Sequence, residues 1–217
     1  MSSRDLILSR IRASIGRGAP ADGAVLAPHL AARTRGPAPG GAWRDSREGL
    51  LQRFTERATA LASTVERVPS WVEVPAAAAA YLIARELPTR AVCWPSLADQ
   101  AWAGAGLQVE ARPSRGDDLV GITSTFCAVA DTGTLMLLSG TDTHAATSLL
   151  PETHIAVVPV ERVVPLMEDG FALLRAEKGE APRAVNFVSG PSRTADIEQT
   201  VTLGAHGPYR VHLILVG

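Results

Sequence analysis

Apolar residues recur every three or four positions in two stretches of the N-terminal half, and this spacing predicts two amphipathic helices. The first stretch covers residues 3–15 and has a narrow apolar stripe made of Leu6, Ile7, Ile11 and Ile15. The second covers residues 43–65 and has a broader apolar face made of Leu50, Leu51, Phe54, Ala58, Leu61, Ala62 and Val65. The second pattern is long and regular enough to predict a helix packed on a core.

Residues 16–41 separate these two patterns and are rich in Gly, Pro and Ala without any clear period. Such a composition is typical of a long, flexible connection. Connections of this length are unusual inside a compact core, so the first helix is expected to dock on a neighbouring subunit or on a partner. We therefore predict an N-terminal helix with a linker over residues 1–41 and one α/β domain over residues 42–217.

Short apolar runs alternate with helical patterns between residues 70 and 111. Strands are predicted at residues 70–75, 90–95 and 107–111. Helices are predicted at residues 76–88 and from Ser96, as N-cap, to a stop at Gly104 or Gly106. Strands that alternate with helices over so few residues indicate crossover connections and a mostly parallel sheet.

The C-terminal half adds an antiparallel element. Two apolar runs flank Asp131, Thr132, Gly133 and Thr134 within residues 126–140, which predicts a hairpin. A strand is predicted at residues 153–160, a helix at 165–178, and two strands at 184–188 and 210–216. The expected fold is α/β, with a mostly parallel sheet, flanking helices and an antiparallel hairpin.

Charge and cysteine content restrict the possible partners. The formal net charge of −1 argues against nucleic acid or an anionic membrane as the main partner. The two cysteines, Cys93 and Cys127, lie far apart and outside any C-x-x-C spacing, so no zinc or iron–sulfur site built by this chain alone is expected. Since no signal sequence or run long enough to span a membrane is evident, a cytoplasmic location is expected. Lys178 is the chain's only lysine.

Polar residues that could form a site occur in three segments at strand ends. The first combines residues 121–125 with the turn Thr132, Gly133 and Thr134. Small residues in a turn can expose backbone N–H groups to an anion, and nearby hydroxyls add donors. An ordinary hairpin corner is the alternative for this segment.

The second segment, residues 139–157, contains two histidines and two acids. Glu152 stands between Pro151 and a predicted strand, where an acid or base could act at the mouth of the sheet. His144 and His154 lack the spacing of a helical metal-binding pair, and His154 could simply form a hydrogen bond in its strand.

The third segment follows the strand at residues 184–188. Its turn contains Ser189, Gly190, Ser192, Arg193 and Thr194, and the spacing of Asp196 and Gln199 predicts that a helix begins there. A small-residue loop at a helix N-terminus can bind anions, and Arg193 adds a bidentate donor. The candidate proton carriers are Asp196, Glu198 and His206, although Asp196 could instead serve only as a cap.

Long motifs in the C-terminal half resemble one known family. The stretches "ADTGTLMLLSG", "SLLPETHIAVVPVERVVP" and "NFVSGPSRTADIEQTVTLGAHGPYRVHLILV" are similar to the lactate-utilisation (LUD) domain family, and within it to the lactate utilisation C group. The likeness runs from about residue 122 to the C-terminus. The family usually has A-E-T-G-T at the turn where this chain has Asp131.

This resemblance implies a fold and a role. The fold would be similar to the superfamily of glucosamine-6-phosphate deaminase, ribose-5-phosphate isomerase and CoA transferases. The role would be oxidation of L-lactate to pyruvate, together with iron–sulfur partner proteins that carry the clusters this chain lacks. No cofactor is evident in the chain itself.

Three functions follow as hypotheses. In the first, the chain is a subunit of a lactate-oxidising complex that holds a carboxylate between the Thr132–Thr134 turn and Arg193, with Asp196, Glu198 or His206 as base. In the second, it is a non-catalytic scaffold or anion-sensing subunit tethered by its first helix. In the third, which rests on fold analogy, it is an isomerase or transferase for a phosphorylated or CoA-linked substrate.

Overall fold

The computed structural model describes residues 3–16, 28, 31, 32, 36–194 and 202–217. The chain divides into two compact units, Met1–Ala38 and Pro39–Gly217. The first unit contains helix α1, Ser3–Ser14, which confirms the predicted helix. Most of the predicted linker lies outside the described residues.

The centre of the second unit is a six-stranded sheet. Its strands are β1 (Thr64–Val68), β2 (Arg90–Cys93), β3 (Gln108–Ala111), β4 (Val120–Thr123), β7 (Thr153–Pro159) and β12 (Arg210–Val216). They lie in the order β1-β12-β7-β4-β2-β3, and every neighbouring pair is parallel. The prediction of an α/β fold with a mostly parallel sheet is therefore confirmed.

A smaller sheet contains the predicted hairpin. Its strands are β5 (Cys127–Val129), β6 (Thr134–Leu138), β8 (Val163–Val164) and β9 (Val185–Val188), in the order β8-β5-β6-β9. Strands β5 and β6 pair antiparallel across the predicted turn, so the hairpin is confirmed. A separate antiparallel pair joins β10 (Arg193–Thr194) to β11 (Thr202–Leu203).

Helices cover both faces of the main sheet. They are α2 (Arg47–Ala60), α3 (Val74–Ala84) and α4 (Ala146–Leu149), whereas α5 (Met167–Lys178) packs on the small sheet. Because side chains alternate along a strand, β7 is buried on both faces. Ile155 and Val157 share a cluster with α3, and Ala156 and Val158 share a cluster with α2 and the small sheet. None of the described helices has both the length and the apolarity needed to cross a membrane.

The strand predicted at residues 70–75 is wrong. A 3-10 turn covers Trp71–Glu73, where Val72 is 84% exposed, and α3 begins at Val74. Pro75 lies in the first turn of that helix, where a missing N–H is tolerated. The strand of this region is β1. It was assigned in part to the preceding helix, because the helical spacing of apolar residues continues to Val65.

The helix predicted from Ser96 is also wrong. Two 3-10 turns, Pro95–Leu97 and Ala103–Ala105, occupy this segment, and the side chain of Ser96 caps neither of them. Gly106 follows the second of these turns and has a left-handed φ of 81°. The buried side chains Leu97 and Trp102 anchor the segment on the face covered by α3.

Candidate functional site

Parallel pairing brings residues from the second and third predicted segments to the amino-terminal end of the main sheet. Arg210 of β12 is the register partner of Thr153 of β7, and its backbone N–H donates to the carbonyl of Glu152 at 2.9 Å. The Glu152 side chain therefore stands beside the Arg210 side chain, with 3.8 Å between Oε2 and Nη1. Glu152 precedes its strand, which explains why it lies at this end of the sheet.

The guanidinium of Arg210 is only partly satisfied. Its Nη1 is buried and has no hydrogen-bond partner among the described residues, since 3.8 Å from Glu152 is too long for a hydrogen bond. The group also lies over the ring of Tyr209, 5.0 Å from its centre. A buried donor without a partner is unfavourable, so Arg210 can gain from an anionic acceptor.

A pocket of about 330 Å³ adjoins these two side chains, and we call it the amino-end pocket. It is lined by Leu150, Glu152, Gly204, Gly207, Tyr209 and Arg210. Gly204 has a φ of 76°, and a Cβ there would lie 2.9 Å from the Tyr209 ring. Glycine is therefore needed at this position for both the backbone conformation and the space.

The third predicted segment packs against this pocket. The N–H of Ser192 donates to the carbonyl of Pro208, and the N–H of Gly204 donates to the carbonyl of Ser192, each at 2.9 Å. The Ser192 hydroxyl has no hydrogen-bond partner in the described part of the chain. Arg193 and Thr194 form β10, which pairs with β11 just before Gly204.

The predicted proton carriers differ in where they lie. His206 is exposed and stands between the two glycines that line the pocket. Asp196 and Glu198 lie outside the described residues, as does the helix predicted to start there. Glu152 is the carboxylate that the structure places at the pocket, with its side chain 64% exposed.

The turn Thr132–Thr134 is packed tightly against α2. A Cβ on Gly133 would lie 2.4 Å from the backbone nitrogen of Ala58, and the N–H of Gly133 already donates to the carbonyl of Val129. The hydroxyls of Thr134 and Ser189 form a hydrogen bond at 2.8 Å, which joins the first and third predicted segments. These contacts give the turn the role of a packed corner.

Two further contacts fix this corner. The carboxylate of Asp131 accepts from Arg53 at 3.0 Å, and its carbonyl accepts from Arg57 at 3.0 Å. A Cβ on Gly190 would lie 2.2 Å from the carbonyl oxygen of Leu61. The acidic side chain of the turn is therefore engaged by α2.

His154 has the structural role that the sequence left open. It is fully buried, its Nε2 lies 2.8 Å from the hydroxyl of Thr123, and burial lowers its pKa to about 4. His144 uses its carbonyl to accept from the indole of Trp94 at 3.0 Å. Among the described residues, no three His, Cys, Asp or Glu side chains are grouped to hold a metal ion.

Arg210 was missed at the level of sequence. The available signal was an arginine at the first position of a mostly apolar strand, directly after Gly207, Pro208 and Tyr209. Its significance depends on the register with β7, which the sequence alone did not provide.

The chain is similar to proteins named lactate utilization protein C. It is 35% identical over 129 residues to the one from Bacillus licheniformis, covering 57% of this chain and 53% of that protein. It is 35% identical over 127 residues to the one from Bacillus subtilis, with 57% and 53% covered, and 42% identical over 100 residues to the one from Halalkalibacterium halodurans, with 45% and 44% covered. The chain thus spans about half the length of these relatives.

A solved structure and a protein-family model also match this chain. A crystal structure of a DUF162 family protein from Deinococcus radiodurans matches with a TM-score of 0.62 and 27% identity, over 79% of this chain and 99% of that one. The model of the LUD domain matches residues 101–216, which is just over half of the chain. The chain therefore belongs to the LUD domain family.

Proposed function

We propose that the chain is a subunit of a system that oxidises L-lactate to pyruvate, and that it binds the 2-hydroxy acid while iron–sulfur partner proteins take the electrons. The relatives named lactate utilization protein C support the metabolic role. The observation that carries the proposal is the pairing, in one pocket, of an arginine nitrogen without a hydrogen-bond partner and a neighbouring carboxylate.

A 2-hydroxy acid matches this pair chemically. The carboxylate of lactate would accept from Nη1 of Arg210, and the hydroxyl on the next carbon would donate to Glu152. The two substrate groups are on adjacent carbons, so they need a donor and an acceptor that lie close together, and 3.8 Å separates Nη1 from Oε2. The ligand position thus moves from the Thr132–Thr134 turn of our sequence hypothesis to the amino-end pocket.

The reaction then divides between the chain and its partners. Oxidation of lactate removes two electrons and two protons, one proton from the hydroxyl and one from C2. Glu152 would accept the hydroxyl proton as general base, and the hydrogen on C2 would leave with both electrons, as a hydride equivalent, to an acceptor in the partner proteins. His206 and Ser192 lie beside the pocket, and we propose that they orient the ligand, together with Arg193, Asp196 and Glu198.

Growth on L-lactate tests this function. In a host that lacks the gene for this chain, we expect the wild type to restore growth and Glu152→Gln to fail, because the amide keeps the shape but cannot accept the proton. Arg175→Gln, at an exposed position near the end of α5, is the matched surface control and should grow normally.

The growth of the Glu152→Gln variant also distinguishes a catalytic subunit from a ligand-sensing subunit. Normal growth with Glu152→Gln would contradict the general-base role and favour a ligand-sensing subunit. Failure of the wild type to support growth on L-lactate, with normal growth on pyruvate as the reference, would contradict the metabolic role itself.

A further inference from the structure

A second and larger cleft lies at the opposite, carboxyl-terminal end of the main sheet. Its volume is about 450 Å³, within the range of small-molecule pockets. We call it the carboxyl-end cleft, and its lining includes Trp94, Ser124, Phe126, Leu138, Lys178 and Pro182. Trp94 follows β2 directly and Ser124 follows β4 directly, so the cleft opens where these two neighbouring strands end.

The sheet order makes this position special. From β2 the chain moves outward to β3, whereas from β4 it moves the other way to β7 and β12. The gap between β2 and β4 is therefore the point at which the direction of winding reverses. Ligands of open parallel sheets bind outside the carboxyl ends of the strands at such points.

Two polar groups in the cleft form no hydrogen bond and no close ion pair among the described residues. They are the hydroxyl of Ser124 and the ammonium of Lys178, the only lysine of the chain. Among the other hydroxyls at the cleft, Thr125 donates to the carbonyl of Cys127 at 2.8 Å, Thr143 donates to that of Leu138 at 2.6 Å, and Ser139 accepts from the N–H of Ala184 at 2.8 Å. The Ser124 hydroxyl and the Lys178 ammonium are thus available as hydrogen-bond donors to a ligand.

The surrounding charges favour a singly charged anion. Arg162 also lines the cleft, but it is held by Glu177 through two hydrogen bonds of 2.5 and 2.9 Å and lies over the ring of Phe126. Glu180 contributes a carboxylate at the rim. With Arg162 neutralised and the carboxylates of Glu177 and Glu180 nearby, Lys178 can balance one negative charge better than two.

Several walls of the cleft are apolar, and the cleft is larger than lactate alone would need. Phe126, Leu138 and Pro182 form walls that bury hydrocarbon favourably. A second cleft of about 410 Å³ adjoins the first, because the two share Ser139, Gly140 and Thr143, and it adds Arg183. Together the two clefts offer a longer space than the carboxyl-end cleft alone.

We propose that the carboxyl-end cleft is a second ligand site, which binds a monoanionic carboxylate with an apolar body larger than lactate. Ser124 and Lys178 hold the carboxylate, and the apolar walls hold the body. This site is separate from the amino-end pocket and does not depend on the lactate proposal.

The single lysine provides a direct test on the full-length protein. Reductive methylation with ¹³C-formaldehyde gives Lys178 a dimethylammonium signal that keeps its positive charge, and Lys178→Arg identifies that signal by removing it. We would titrate 3-phenylpropionate as the probe, acetate as the head group alone, and 3-phenyl-1-propanol as the body alone.

We expect 3-phenylpropionate to shift the Lys178 signal saturably, with an apparent Kd at least tenfold lower than those of acetate and the alcohol. Ser124→Val should weaken the probe about tenfold, because a hydrogen bond to the carboxylate is lost. Thr55→Val, on α2 in a different groove, should leave it unchanged. No saturable shift, equal affinity for acetate and the probe, or an unchanged Kd in Ser124→Val would each overturn the proposal.

Discussion

Substitution of Gly133 by alanine tests whether the hairpin turn is a packed corner. Gly133 has a φ of 65°, and an added Cβ would lie 2.4 Å from the backbone nitrogen of Ala58 on α2. A left-handed φ costs an alanine about 1–2 kcal/mol. Relief of the overlap by movement of α2 or of the turn costs about 1–3 kcal/mol more. The expected loss in the free energy of unfolding is therefore about 2–5 kcal/mol.

Gly106→Ala is the matched control for this change. Gly106 also has a left-handed φ, 81°, but a Cβ there would meet nothing within 4 Å. Its loss should be confined to the backbone part of about 1–2 kcal/mol. Since both variants restrict the unfolded chain in the same way, their difference isolates the contact with α2.

Urea denaturation followed by far-UV circular dichroism measures the difference. With a slope of about 3 kcal/mol/M, a gap of 1–3 kcal/mol separates the two midpoints by about 0.3–1 M. Equal midpoints for Gly133→Ala and Gly106→Ala would refute the contact and reopen the turn as a ligand-binding loop.

Two further predictions concern charge and protonation. The pKa of both His154 and His212 is lowered to about 4, by burial in each case and for His212 also by nearby Arg85, so protons bind the unfolded chain more readily below pH 6.5. Each histidine should therefore reduce the free energy of unfolding by up to about 3 kcal/mol as pH falls from 6.5 to 4, with no effect above 6.5. Urea denaturation at several pH values measures this dependence. If the free energy of unfolding falls as steeply with pH in a His154→Gln, His212→Gln double variant as in the wild type, the prediction is contradicted. Asp131→Asn removes the partly buried ion pair with Arg53 and should lower the free energy of unfolding by about 1 kcal/mol at low salt. The loss should be smaller in 1 M NaCl, and an equal loss at both salt concentrations would show that the ion pair does not cause it.

The regular elements of the core could be predicted because their patterns are strong and local. Helix α2 keeps its apolar spacing over many residues, and the run that became β7 is long and apolar. Strand β1 was not recognised, because it lacks a clear alternation of apolar and polar residues and is recognisable only by its pairing with β12. Segments with short 3-10 turns, such as Pro95–Leu97, mimic a helix start without the hydrogen bonds that would continue it.

The candidate site was predictable in its parts and not in its assembly. Glu152, Ser192 and His206 were identified from their positions in turn-rich segments, and the structure gathers them at one end of the sheet. Arg210 could not be assigned a role from sequence, because its importance comes from a strand pairing made across more than fifty residues. The carboxyl-end cleft likewise depends on strand order, which no local pattern encodes.

Calorimetric titration of L-lactate into the purified chain and its Arg210→Gln variant tests the central claim most directly. A charge-assisted hydrogen bond to a carboxylate contributes about 1.5–3 kcal/mol, so the variant should bind about ten- to a hundredfold more weakly. Arg175→Gln should bind like the wild type. Equal affinity of the wild type and Arg210→Gln for L-lactate would contradict the amino-end pocket as the lactate site.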